Sequence, residues 1–194
     1  MKHSKLIVLC LVFLGATPSI AHAQGAGIEW NNLNREVMEL SRSGKYDRAV
    51  VIALKALEVA EQNVDPDHPD VVTSLYVLAL LYDTQRDYAR AEPLYMRSLA
   101  IDEKTLGPEH PDVATGLNYL AELYRAQGDY PKAEPLCMRS LAIREKAFGP
   151  DHPDVATSLN NLALLYQIQG AYAKAEPLFK PCVSIISETD FPLN

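Results

Sequence analysis

Three histidines carry the most obvious chemical potential in this sequence. His68, His110 and His152 each precede Pro-Asp. An imidazole beside a carboxylate is raw material for a metal site or a general base. The spacing argues otherwise. Successive copies lie 42 residues apart in nearly identical surroundings, so the histidines occupy equivalent loops of successive units and do not converge. Each reads as a residue that starts a helix before proline. No glycine-rich phosphate loop, nucleophile elbow or His-Glu-x-x-His run occurs. No catalytic residue, metal or cofactor is expected. Cys137 and Cys182 read as small buried hydrophobes, with a disulfide between neighbouring units as the alternative.

The elements that carry these residues are written repeatedly. Residues 110–140 and 152–182 agree at 20 of 31 positions. Leu33, Leu75, Leu117 and Leu159 share one register, and Tyr46, Tyr88, Tyr130 and Tyr172 another. Four units follow, at about 28–67, 68–109, 110–151 and 152–185. The first is the most divergent, with Glu36 where the others have leucine. The last is degenerate, because Pro181 breaks its final helix and "CVSIISETDFPLN" abandons the repeat.

Each unit reads as two helices. Leu117, Leu120, Ala121 and Tyr124 form the i, i+3, i+4, i+7 stripe of an amphipathic helix. Pro111 suits its first turn and Gly128 its end. A second helix starts near Tyr130, turns Ala133, Leu136, Cys137 and Leu141 inward, and stops at Gly149-Pro150. Pro93, Pro135 and Pro177 recur inside the second helices, as a structural device. One unit cannot bury its apolar stripe alone, so stacked units must share a core. The fold class is all-α, a solenoid of helix-turn-helix repeats.

The pattern Leu-x-x-Leu-Ala-x-x-Tyr followed by Gly-x-Tyr-x-x-Ala resembles the tetratricopeptide repeat. The 42-residue period and "HPDVATSLNNLALLY" resemble its kinesin-light-chain type. The resemblance implies a right-handed α-solenoid whose first helices line a concave groove for a protein or extended peptide. It also implies the groove positions: Asn34, Tyr76, Asn118 and Asn160, then Leu80, Glu122 and Leu164 with Met38, then Asp83, Arg125 and Gln167. Asn118 and Asn160 are expected to face the groove and grip a peptide backbone, because an amide both donates and accepts.

The chain ends add location. "MKHSK", a nine-residue apolar run and Ala21-His22-Ala23 make residues 1–23 a secretory signal peptide, with cleavage expected after Ala23. Residues 24–194 are then a periplasmic or secreted repeat domain without membrane insertion. The net charge is -7, and the signal takes away two lysines and no acid. So acidic a chain is a poor partner for nucleic acid, whose binding rests on phosphate neutralisation. Val183, Ile185, Ile186 and Phe191 have no following unit to cover them. Self-association into a homodimer through that end is the alternative to groove binding.

Overall fold

A computed structural model describes residues 18–179, with side chains from residue 26 onward. Seven helices run α1 (Pro18–Arg42), α2 (Tyr46–Asn63), α3 (Pro69–Thr84), α4 (Tyr88–Leu106), α5 (Pro111–Gln127), α6 (Tyr130–Phe148) and α7 (Pro153–Ile168). An eighth, α8, occupies 172–179. The described residues contain no strand. None of these helices is long and apolar enough to cross a membrane. The helical backbone of α1 runs through the expected cleavage point after Ala23. Pro181, Cys182 and the apolar tail residues Val183, Ile185, Ile186 and Phe191 lie outside the described residues.

The histidines are helix caps. Nδ1 of His68, His110 and His152 accepts from the backbone N–H of Asp70, Asp112 and Asp154 at 3.1, 3.2 and 3.1 Å. The accepting nitrogen must be unprotonated, which puts the proton of the neutral ring on Nε2. The following proline fills the first helical position, where no N–H is needed. Second helices start differently: Asp87 and Asp129 accept from the N–H groups of Arg90 and Lys132. Helices α4 and α6 continue through Pro93 and Pro135. Gly128 ends α5 in the left-handed conformation at φ 79°. Gly44 and Gly170 hold the same register at φ 69° and 74°, and Arg86 holds it at φ 61°.

The stripe read from the sequence is the core. Leu75, Leu117 and Leu159 are buried, as are Ala79, Ala121 and Ala163 on the first helices and Ala91, Ala133 and Ala175 on the second. The alanines let paired backbones approach, and each enclosed leucine contributes about 1.5–3 kcal/mol. In the divergent first unit Val37 and Leu40 serve the core, while Glu36 is exposed. Each second helix packs on the first helix of its own unit and of the next: α2 on α1 and α3, α4 on α3 and α5, α6 on α5 and α7. First helices therefore follow one another on one side, and α5 touches α7 directly.

A latch recurs between units. The Tyr124 hydroxyl donates to Glu92 at 2.7 Å, and the Tyr166 hydroxyl donates to Glu134 at 2.8 Å. The Lys132 and Lys174 ammonium groups sit 4.8 and 4.9 Å from the centres of those two rings. On the second helices Arg97 pairs with Glu61 at 2.6 Å and Arg139 with Glu103 at 2.5 Å. These pairs are exposed and worth little singly. Their recurrence sets the offset of one unit on the next.

Candidate binding cleft

A cleft of about 390 Å³ opens between the first helices of units two and three, with α4 as its floor. Val72, Thr73 and Tyr76 of α3 face Thr115, Gly116 and Tyr119 of α5 across it. Ser98, Asp102 and Leu106 come up from α4, and Asp67 and Asp112 stand at the helix entries. Tyr76 and Tyr119 are in ring contact, with centroids 4.6 Å apart. Tyr95 of α4 lies beneath them, its ring stacked on Tyr119 at 6.1 Å and 5°. Burial, then the Tyr119 hydroxyl, holds the Tyr76 phenol well above its ordinary range, so it is a neutral donor and acceptor.

The groove positions carried over from the repeat family divide here. Tyr76 lines the cleft. Leu80 and Gln167 are exposed, and Asn160 and Leu164 are half-buried. The Asn34 amide donates to its own helix at the Trp30 carbonyl, 3.0 Å away. Asp83, Glu122 and Arg125 form one charged group on the turn beyond the tyrosines. Glu122 pairs with Arg125, and burial followed by the Glu122 charge raises the Asp83 carboxyl. Cys137 adjoins them, and burial pushes its thiol up to about 11.

Asn118 corrects the expectation that it faces the groove. It is only 7% exposed and its amide points at the Ser158 hydroxyl, 3.5 Å away on α7. The reason is rotational. Each residue turns a helix by about 100°, and the side of α5 that carries Asn118 is covered by the following unit. The neighbouring Tyr119 takes the cleft instead.

Asn118 belongs to a buried polar cluster that fills the equivalent space between units three and four. At its centre is Arg144, 7% exposed. Its guanidinium donates to the Asp154 carbonyl, the Ser158 hydroxyl and the Thr115 hydroxyl, each at 3.1 Å. Ser140 donates to the Ala114 carbonyl at 2.8 Å, which leaves Ser158 as the donor in their 3.3 Å contact. Tyr119, Asp102, Thr115 and Arg144 were not among the sequence candidates. The signal for two of them was present, since "AIDEK" becomes "AIREK" one unit later.

An α-helical solenoid of paired helices, sharing one core and lining a cleft with first helices, defines a class of repeat protein. The tetratricopeptide repeat profile matches residues 40–104, 85–134 and 112–186, and the chain belongs to that family. No curated protein sequence matches it. Among solved structures, BtubC (BKLC) from P. vanneervenii is similar at TM-score 0.75 and 25% identity, over 85% of this chain and 66% of that one. The present chain thus spans about two thirds of that protein. A putative kinesin light chain from Podosopora anserina with nearly identical TPR-like repeats gives TM-score 0.66 and 22% identity, over 87% and 95%. The apo form of RapI gives 0.72 and 18%, over 84% and 57%. The kinesin-light-chain character of the repeats read from the 42-residue period accords with these neighbours.

Proposed function

We propose that this protein is an exported interaction scaffold, and that it holds a segment of a partner protein across the first helices at the cleft between α3 and α5. One observation carries the reading. The cleft is open and aromatic-walled, and no residue of the described chain fills it, whereas the equivalent spaces on either side are occupied by Trp30 and Arg144. Concave, largely apolar sites with a few polar groups are where ligands bind, and the faces of repeat arrays are extended binding surfaces. The two tyrosines offer rigid contact area at small entropic cost. Export rests on the basic start, the apolar run and the Ala21-His22-Ala23 site. The protein would then work in the periplasm or outside the cell.

A peptide selected from a random display library on the purified protein tests the binding reading. Val72 shares the register of Trp30, so Val72→Trp should fill the cleft with an indole. The selected peptide should bind this variant at least tenfold more weakly, at an unchanged melting temperature. Equal affinity for both proteins would remove the cleft from the account. For export, N-terminal sequencing of the protein recovered outside the cytoplasm should read from Gln24. An intact Met1 there would contradict cleavage.

A further inference from the structure

We propose that the cleft between α3 and α5 is a pocket for one arginine side chain of the partner segment, with Asp102 as its counter-charge and Tyr76 and Tyr119 as its wall. The proposal rests on the scaffold reading above and makes it chemically specific.

The three junctions between units differ at one place. Ser74, Gly116 and Ser158 hold the same register in units two, three and four. At the first junction the Trp30 indole N–H donates to the Ser74 hydroxyl at 2.8 Å. At the third, the Arg144 guanidinium donates to the Ser158 hydroxyl at 3.1 Å. In both, the chain fills the space with a flat side chain that donates an N–H to the serine. At the middle junction serine is replaced by Gly116, where an added Cβ would lie 3.2 Å from Leu99 Cδ1. The residue in register with Arg144 is Asp102, and the space stays open. The chain carries a carboxylate there, where the next junction carries its own guanidinium and the first carries Ala60.

Asp102 has no hydrogen bond or ion pair in the described chain. Of the other acids of the cleft, Asp67 pairs with Lys104, and Asp112 stands exposed at the helix entry. Burial, then the charge of Asp112, raises the Asp102 carboxyl above its ordinary range, with His110 opposing them. The positive charge of a guanidinium in the cleft would favour the ionised carboxylate against both effects. Arginine fits the surroundings better than lysine for two reasons. Its planar fork can reach a carboxylate and a neighbouring oxygen together, as Arg144 reaches the Ser158 and Thr115 hydroxyls together one junction along. It also stacks on aromatic rings.

The test uses peptides selected on the purified wild-type protein that are displaced by Val72→Trp, so that they occupy the cleft. Those peptides should share one arginine. Replacing it with norleucine should weaken binding at least tenfold, and lysine should fall between. Asp102→Asn should weaken the arginine peptide by a similar factor, keep the melting temperature, and leave the norleucine peptide unchanged. Cleft-bound peptides with no common arginine, or full affinity for Asp102→Asn, would overturn the arginine pocket while leaving the scaffold reading standing. Peptides insensitive to Val72→Trp would overturn both.

Discussion

Arg144 donates to the Ser158 hydroxyl from α6 to α7 at 3.1 Å, and this contact closes the junction between units three and four. It places a guanidinium in the interior with hydroxyl and carbonyl oxygens as acceptors. Burial lowers its affinity for the proton, and the Asp154 charge offsets part of that loss.

Replacing Arg144 with methionine keeps much of the apolar stem and removes all the donors. Each hydrogen bond to a charged group is worth about 1.5–3 kcal/mol, and relief of the buried charge offsets part of the sum, so losing the three bonds should cost at least about 1.5 kcal/mol in urea unfolding. Ser158→Ala should cost less, because Arg144 keeps Thr115 and the Asp154 carbonyl. A change within error for Arg144→Met would show that the cluster contributes nothing to the junction.

Arg86 holds a left-handed turn, φ 61°, where units one, three and four have glycine. A side chain in this region costs about 1–2 kcal/mol, and glycine's greater unfolded-state freedom offsets part of it. Arg86→Gly should therefore stabilise the protein by a few tenths to about 1 kcal/mol. A lower melting temperature in the variant would contradict this.

The tyrosine latches predict an alkaline limit. Burial, then the hydrogen bond to Glu92, pushes the Tyr124 phenol from 10.0 up to about 12, and Tyr166 behaves likewise with Glu134. The unfolded chain loses these protons near pH ~10 while the folded chain keeps them. The stabilisation is complete below pH ~10 and is lost as pH rises through ~12. Denaturant midpoints at pH ~9 and ~11 should fall less in Tyr124→Phe/Tyr166→Phe than in wild type. Parallel declines would sink the latch.

Cys137 is buried and its thiol is pushed up to about 11, first by burial and next by the Glu122 charge. Thiolate is the reactive form. Iodoacetamide at pH ~8 should leave Cys137 unmodified in the native protein and label it readily in concentrated guanidinium chloride, as read by site-resolved mass spectrometry. Rapid native labelling would place Cys137 outside the core.

The fold was legible because the period repeats every constraint. Leu117 and Ala121 on one helix and Ala133 on the next occur again one unit later, so helix pairing, caps and core follow from register alone. The cleft was legible only in outline. Tyr76 was found because its position lies on a first helix. Asn118 and Tyr119 differ by one residue, and which of them meets solvent depends on the side from which the next unit covers α5. That is a packing property with no local mark in the sequence. The sites that distinguish one junction from another lie where the repeat breaks its own rule, at Gly116 and at Asp102 against Arg144. Attention to what recurs passes over them.

The most direct test of the central claim is a crystal structure of the protein with a peptide selected on it. The account predicts peptide density between α3 and α5, against Tyr76 and Tyr119 and reaching Asp102. Density instead along the second helices, over the exposed Leu54, Met96 and Met138, with the cleft unfilled, would contradict it.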